Sequence, residues 1–202
     1  MPRLAVVIMV GGQARRLLGQ NKCDLQIGPK SCLQWTLDVF EGQVDKIALS
    51  VGKTDRYHHA KNHEIIYDWP SPPERRGVAL AVLGSLAWAK AAGYDAVITA
   101  PVDTPFLPKT YTTKLIETYA GLTPVVCKTA KVLHGLHAMW PVSCFDRMKQ
   151  AVLEEDILKI SKLHAILKST ELSFADETVA SFMNINDEDV LQKARQTFKH
   201  EK

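Results

Sequence analysis

An apolar run that ends in two glycines constrains the fold of this chain more than any other feature of its sequence. Residues 6–10 read Val-Val-Ile-Met-Val, and Gly11 and Gly12 follow directly. A continuous run of mostly β-branched residues predicts a strand that is buried on both faces and ends in a tight loop. Such strands belong to parallel sheets covered by helices on both sides, so the run favours an α/β fold.

The loop after this strand combines glycine with positive charge. Because glycine adopts positive φ without steric cost, we expect Gly11 and Gly12 to turn successive backbone N–H groups into one hollow that binds an anion. Arg15, Arg16 and Lys22 add cations, and this combination suits a polyphosphate. The loop is not a Walker A loop, and it lacks the third glycine of the dinucleotide fingerprint. These residues alone leave open an ordinary solvated turn.

Helix and strand patterns alternate after the loop. Leu33, Leu37 and Phe40 recur at helical spacing, which predicts a helix over 31–41, and an apolar strand is predicted over 46–51. The order strand, helix, strand requires a parallel, right-handed crossover. Three further elements are predicted: a strand over 64–68, a helix over 77–92 and a strand over 95–100.

The second half of the chain is less regular. Strands over 124–127 and 131–140 form a predicted hairpin at the antiparallel edge of a mixed sheet. Asp187 is the expected N-cap of a final helix. The remaining predicted elements are a helix starting near Pro108, helices over 145–152 and 159–165, and a strand over 171–174.

Length and composition allow one substantial core. The chain has 202 residues, of which 46% are hydrophobic, a size near the upper end of one domain. The expected fold is therefore one three-layer α/β domain over residues 1–202, Rossmann-like, with a mostly parallel mixed sheet. A formal net charge of +3 with scattered basic residues requires neither a nucleic acid nor a membrane as partner.

Cysteine spacing and the first residues bear on the cellular compartment. The four cysteines lie far apart without metal-ligand spacing, so we expect reduced and mostly buried thiols. No leader peptide or membrane span is evident from the sequence, and a cytoplasmic location is the simplest expectation.

Two aspartates follow predicted strands and are expected near the glycine loop. In an open parallel sheet, ligands gather outside the carboxyl ends of the strands, so Gly11, Gly12, Asp68 and Asp103 should share one edge. Asp103 lies between prolines at the end of a central strand, and carboxylate oxygens of this kind suit Mg²⁺. The alternative for Asp103 is a helix cap.

Asparagines and histidines supply the remaining candidates. Alternation places Asn184 and Asn186 on one face, as a shared ligand would need. His134 and His137 are three apart on a predicted strand, so we expect them to face opposite sides and to make a poor metal pair.

Three segments together resemble one enzyme family. The pattern Gly-Gly-x-x-x-Arg followed by Lys, over 11–22, resembles the signature loop of sugar-nucleotide and cofactor nucleotidyltransferases, and residues 11–16 are most similar to the molybdenum cofactor guanylyltransferases. Residues 101–106 are similar to the metal-binding Asp-x-Pro stretch of that family, and residues 182–187 to its Asn-x-Asn motif. The resemblance extends from the first predicted strand to the last helix.

The resemblance implies roles for individual residues. Asp103 would hold the Mg²⁺ that clamps the nucleotide phosphates, while Arg16 and Lys22 would act in catalysis near the phosphates. Asn184 and Asn186 are associated with the acceptor pterin or the metal. The residues expected to contact nucleotide or acceptor are Met9, Val10, Gly11, Gly12, Lys22, Asp68, Asp103, Asn184 and Asn186.

The implied reaction transfers GMP from GTP to the phosphate of molybdopterin and releases pyrophosphate. Other readings remain open: a cytidylyltransferase or another nucleotidyltransferase, or a non-catalytic nucleotide-binding protein that acts with cofactor-delivery proteins or molybdoenzymes. The chain departs from the family pattern at several positions. The family usually has glycine, aspartate, proline and glycine where this chain has Leu18, Asn21, Val78 and Ala81, and residues 186–189 lack its usual Thr-Pro. Asparagine for aspartate removes a charge but keeps a hydrogen-bonding group.

Overall fold

The computed structural model of the protein describes residues 2–11, 16–17, 20–52, 63–71, 77–130, 132–175 and 179–200. Its strands, in chain order, are β1 (Leu4–Met9), β2 (Arg16–Leu17), β3 (Gln20–Asn21), β4 (Gln26–Ile27), β5 (Lys30–Ser31), β6 (Lys46–Val51), β7 (Glu64–Tyr67), β8 (Ala96–Pro101), β9 (Val125–Lys128), β10 (Leu133–Pro141) and β11 (Thr170–Ser173). Its α-helices are α1 (Cys32–Phe40), α2 (Val78–Ala91), α3 (Tyr111–Thr118), α4 (Phe145–Leu153), α5 (Ile160–Ile166) and α6 (Glu188–His200).

Seven strands form one sheet in the order β11-β9-β10-β8-β1-β6-β7. β1 pairs in parallel with β6 and β8, and β6 pairs in parallel with β7. β10 runs antiparallel to both of its neighbours, and β11 runs parallel to β9. All strands of this sheet except β10 therefore run in one direction, which confirms the predicted mostly parallel mixed sheet.

Helices cover both faces of this sheet. Val6 and Ile8 of β1 pack into a core that includes Phe40 of α1 and Tyr111 of α3. The alternate residues of β1 pack on the opposite face against a second core, built largely from α2, α4 and α5. The predicted three-layer α/β class is confirmed, because helices pack on both faces of the sheet. A strand with apolar residues on both faces needs these two apolar layers.

Most predicted elements are present, and two differences are informative. The hairpin of β9 and β10 exists but does not form the edge of the sheet: β10 lies between β8 and β9, and β11 is the edge strand. Helix α3 begins at Tyr111, three residues after Pro108, because the intervening residues form a turn. The predicted cap is confirmed, since Asp187 Oδ1 accepts a hydrogen bond from the Val190 N–H at 2.8 Å.

A small layer beside the sheet connects the glycine loop to α1. The paired strands β2–β3 and β4–β5 flank a 3₁₀ turn at Lys22–Asp24. Leu25 and Ile27 pack with Leu191 of α6 in a third apolar cluster. This packing holds the 3₁₀ turn against the body of the domain. Among the described residues, no helix has both the length and the apolar character needed to cross a bilayer.

Candidate active site

The carboxyl ends of three parallel strands place the predicted site residues along one edge of the sheet. Gly11 follows β1, Asp68 follows β7 and Asp103 follows β8. Because these strands are mutually parallel, the prediction that the three residues share an edge is confirmed. Gly12 lies outside the described residues, as do Arg15 and the side chain of Arg16.

A buried lysine joins two segments at this edge. Lys22 Nζ donates to Asp103 Oδ2 at 2.8 Å and to Asn186 Oδ1 at 2.6 Å. Lys22 is only 5% exposed. It begins the 3₁₀ turn whose N-cap is Asn21, and the Asn21 side chain accepts a hydrogen bond from the Cys23 N–H. A lysine in this position is a fixed charge rather than a solvated one.

The backbone around Asp103 is held from two sides. The Val102 N–H donates to the Met9 carbonyl at 3.2 Å, which ties the residue to the end of β1. The Ile185 N–H donates to the Asp103 carbonyl at 2.8 Å, which ties it to the segment before α6. The carboxylate is thus aimed by its backbone, as its position between prolines predicts.

The other carboxylate oxygen of Asp103 meets the requirement for a metal ligand. Oδ1 is buried, and no hydrogen bond to it is found among the described residues. A buried, unpaired carboxylate oxygen is costly unless a cation or donor satisfies it. Mg²⁺ is commonly held by one or two carboxylates together with waters and substrate phosphates. The donor set therefore fits a divalent cation that Asp103 would hold and whose other ligands would be waters and nucleotide phosphates.

The described residues contain no alternative cluster for that cation. Within them, no group of three or more His, Cys, Asp or Glu side chains is placed to hold a metal ion.

Gly11 does not take the role that its sequence context predicts. Its N–H and the N–H of Val10 both donate to the Ser50 carbonyl, at 3.1 and 3.0 Å, so the Gly11 N–H does not point into an anion hollow. Gly11 is also not among the described glycines with positive φ. A Cβ on Gly11 would lie 2.8 Å from the Gly52 nitrogen. Glycine is required here because the ends of β1 and β6 approach closely.

Met9 and Val10 are part of the core as well as of the strand end. Their side chains are buried on opposite faces of the sheet, so any ligand would meet their backbone. The contact of these two residues with a nucleotide stays a prediction.

Asp68 is at the predicted edge of the sheet but lies apart from Lys22 and its partners Asp103 and Asn186. β1 and β6 separate β7 from β8, so at about 4.8 Å per strand Asp68 lies roughly 14 Å along the edge from Asp103. Asp68 and Trp69 line a cleft of about 610 Å³ beside α2. Helix α2 lies close to this strand end, because a Cβ on Gly84 would be 2.5 Å from the Tyr67 carbonyl oxygen.

The two predicted asparagines lie on one side of an irregular segment. Ile185 is fully buried, whereas Asn184 and Asn186 are exposed, which agrees with the predicted alternation although no strand forms. Asn186 contacts Lys22. Asn184 instead lines a cavity of about 230 Å³ together with Thr104 and Phe182.

The prediction that His134 and His137 of β10 face opposite sides is wrong. The rings of His134 and His137 lie 5.9 Å apart in an edge-to-face arrangement, on the same side of the chain. Between them the register breaks, because His134 pairs with Cys127 while Ala138 pairs with Val126. A bulge of this kind redirects a side chain and cancels simple alternation. Sequence reasoning named His137 but missed its position within hydrogen-bond distance of Thr104.

The cysteines behave as predicted. Cys23, Cys32, Cys127 and Cys144 are free and buried. The pKa of Cys32, which lies near Lys22, is raised to about 12, mainly by burial and also by Cys23 and Asp103, against a smaller lowering by Lys22. A thiol with this pKa stays protonated at neutral pH and is a poor nucleophile.

Comparison with protein families identifies the chain. A family model described as the MobA-like NTP transferase domain matches residues 6–172. The chain belongs to this family. The resemblance seen in the sequence is thereby confirmed, and the protein is a nucleotidyltransferase. The MobA-like match begins in β1 and ends in β11, so it includes Lys22 and Asp103 and stops before Asn186.

Individual relatives agree with the MobA-like assignment. The molybdenum cofactor guanylyltransferase of Acidiphilium cryptum is 30% identical over 183 residues, which is 91% of this chain and 89% of the relative. The molybdopterin-guanine dinucleotide biosynthesis protein A of Archaeoglobus fulgidus has a similar crystal structure, with a TM-score of 0.71, 22% identity, and coverage of 97% of this chain and 99% of that one.

The MobA-like fold also occurs in an enzyme with another nucleotide in its name. The 4-diphosphocytidyl-2C-methyl-D-erythritol synthase of Anaerococcus prevotii matches with a TM-score of 0.69 and 15% identity, covering 98% of this chain and 96% of that one. The fold by itself therefore does not select the base.

The departures from the MobA-like sequence pattern have identifiable positions. Asn21 keeps a structural role as a cap. Val78 starts α2, is 42% exposed and lines the cavity beside Thr104. Ala81 lies in the first turns of the same helix. Leu18 lies outside the described residues.

Proposed function

We propose that this protein transfers GMP from GTP to the phosphate of molybdopterin, with Mg²⁺ as cofactor and pyrophosphate as the leaving group. The observation that carries the proposal is the pair of Lys22 and Asp103 at the carboxyl edge of the sheet, with one buried carboxylate oxygen left unpaired. The molybdenum cofactor enters from the names of the relatives, which include the guanylyltransferase of Acidiphilium cryptum.

The reaction is a single displacement at phosphorus. An oxygen of the acceptor phosphate forms a bond to the α-phosphorus of GTP, while the bond from that phosphorus to the α,β-bridging oxygen breaks and pyrophosphate leaves. A phosphate monoester is largely doubly ionised at neutral pH, so the acceptor needs no protein base. Such transfers depend on positioning and charge neutralisation.

The residues of the chain divide this work. Asp103 would hold the cation, which neutralises phosphate charge and orients the nucleotide when it is bound. Lys22 uses two of its three N–H groups on Asp103 and Asn186, and the third would serve a phosphate oxygen. Arg16 would contact the transferred phosphate. Gly11 would keep the ends of β1 and β6 close together, and these strand ends would form the surface on which the nucleotide binds.

The remaining expected contacts lie on either side of this centre. Asp68, roughly 14 Å along the edge, would contact the nucleotide, with Met9, Val10 and Gly12 between it and the cation. Asn184 would contact the acceptor from the cavity beside Thr104, and Asn186 would keep Lys22 in place.

The decisive experiment measures pyrophosphate release from GTP or CTP with Mg²⁺, in the presence and absence of molybdopterin. We expect release that requires both GTP and molybdopterin. Preference for CTP would support the cytidylyltransferase alternative, since a fold shared with a diphosphocytidyl synthase allows it. GTP binding without pyrophosphate release would support a non-catalytic role in cofactor delivery to molybdoenzymes.

A further inference from the structure

The proposed reaction leaves a buried histidine unused. His137 is 3% exposed and lies in the core between β10 and α3, next to the loop that carries Asp103. Its ring faces Thr104 and Tyr111 rather than the open edge of the sheet. His137 also lines the cavity of about 230 Å³ that contains Asn184, but both of its ring nitrogens are engaged by Thr104 and Tyr111, so it would act on the site through these neighbours.

A chain of hydrogen bonds connects this ring to the turn that contains Asp103. The Thr104 hydroxyl donates to the Pro101 carbonyl at 3.0 Å. Since a hydroxyl has one hydrogen, its oxygen accepts from the second partner, which is His137 Nε2 at 3.1 Å. His137 Nδ1 then accepts from the Tyr111 hydroxyl at 3.4 Å. This network assigns the proton of the neutral ring to Nε2.

The environment of the ring keeps it in this form. The pKa of His137 is lowered to about 3, mainly by burial and also by the nearby His134. The neutral ring provides one donor and one acceptor, as the network requires.

The bulge in β10 turns His137 toward the 101–104 turn that contains Asp103. Four steps along β10, from His134 to Ala138, correspond to one step along β9. The Thr99 hydroxyl donates to the carbonyl of Leu136 at 2.7 Å, inside the bulge. A Cβ on Gly135 would lie 2.7 Å from a methyl carbon of Ile160, so a larger residue there would require Ile160 to shift. The fold thus satisfies and packs an irregular segment whose effect is to aim His137 at Thr104.

We propose that His137 is a positioning residue, which holds the 101–104 turn through Thr104 and thereby fixes the Asp103 carboxylate for the metal. The proposal rests on the function proposed above for Asp103. Metal ligands depend on the residues behind them, and removing such a partner costs about 10- to 100-fold in metal affinity or activity. Val102 and Ile185 hold the backbone on two sides of Asp103, and Thr104 with His137 supplies the third.

The first test needs neither nucleotide nor metal. Hydrogen exchange of the free protein measures how well each amide hydrogen is protected. In this turn it reports on the Val102 N–H, which donates to the Met9 carbonyl. We expect His137→Phe, which keeps the ring but removes both hydrogen bonds, to accelerate exchange in residues 101–104. His137→Gln places an amide N–H near the position of Nε2 and should restore protection. Unchanged exchange in His137→Phe would overturn the proposal.

The second test measures the metal directly, by titrating Mn²⁺ into the protein with GTP and following free Mn²⁺ by electron paramagnetic resonance. His137→Phe should weaken Mn²⁺ binding by about 10- to 100-fold. Thr104→Val should do the same, whereas Thr104→Ser, which keeps the hydroxyl, should not. The double variant His137→Phe/Thr104→Val should lose little more than either single variant, because both break one connection.

A stability control separates positioning from simple destabilisation. Met148 is fully buried in α4, on the other face of the sheet, and Met148→Ala should lower stability without changing Mn²⁺ affinity. If His137→Phe behaves like Met148→Ala, its role is only structural and the proposal is wrong. If the wild-type protein binds no Mn²⁺ with GTP, the proposed function fails, while hydrogen exchange still decides whether His137 holds the turn.

Discussion

Lys22 Nζ lies 2.8 Å from Asp103 Oδ2, although 81 positions separate the two residues along the chain. Both side chains are largely buried, at 7% and 16% exposure. The pair joins the segment after the glycine loop to the end of a central strand. The cation and the carboxylate of the proposed site are therefore held together before any ligand binds, which is what preorganised electrostatic catalysis requires.

Replacing the Asp103 carboxylate should abolish the reaction, while the fold should persist with lower stability because Lys22 loses its charged partner. Asp103→Asn keeps the shape of the side chain but removes the charge that would hold Mg²⁺, so we expect metal-dependent pyrophosphate release to fall at least about 100-fold. Asp38→Asn is the matched control, since Asp38 also forms an ion pair with a lysine but on the surface. Circular dichroism checks the fold, and normal turnover in Asp103→Asn would reject the assigned role.

Removing the lysine should affect stability as well as activity. Lys22→Met leaves Asp103 without its partner, and breaking a buried pair in this way costs about 3 kcal/mol. Lys30→Met, at an exposed pair with Asp38, should cost less than about 1 kcal/mol. Urea unfolding measures both variants. Equal losses would mean that solvent screens the Lys22 pair as well as it screens the surface pair.

A methyl group at Gly11 should displace the end of β1. The added Cβ would lie 2.8 Å from the Gly52 nitrogen, and overpacking of this kind costs about 1–3 kcal/mol. We expect Gly11→Ala to lose that stability and to weaken GTP binding. Gly121→Ala is the comparison, because Gly121 has positive φ (84°) but open space around its Cβ position. It should lose stability through backbone strain alone and keep normal GTP affinity, as calorimetry can establish.

Local sequence patterns were sufficient for the elements and insufficient for their contacts. The strand Lys46–Val51 has the bounds that its apolar run predicts, and Asp187 caps the last helix as expected. These features depend on neighbouring residues only. The role of Gly11 depends instead on the approach of Gly52 from another strand, and no local pattern contains that information.

The same limit explains the two histidines and the hairpin. Alternation fails at His137 because a bulge separates it from His134, and the bulge depends on packing against α5. The β9–β10 hairpin does not form the edge of the sheet because β11 pairs with β9. β11 lies more than 40 positions after β9 in the chain, so no local pattern predicts this pairing. The charge of Lys22 is evident from the sequence, but its burial is not. The burial depends on contacts with Asp103 and Asn186, which are distant in the chain.

Stability should fall at mildly acidic pH, and His137 should account for a defined part of the loss. Its pKa is about 3 in the folded protein, lowered by burial from the ordinary value of 6.5. Below pH 6.5 the unfolded chain therefore takes up a proton that the folded protein does not, so the free energy of unfolding decreases as the pH falls toward 3. Between pH 7 and 5 one such histidine contributes a loss of about 2 kcal/mol. His134 and His164, whose pKa values burial also lowers, add losses of the same sign. His137→Gln cannot titrate and should retain about 2 kcal/mol more of its pH 7 stability at pH 5 than the wild type does. Urea unfolding at the two pH values measures the difference, and parallel losses in the two proteins would show that the folded protein protonates His137 in this range.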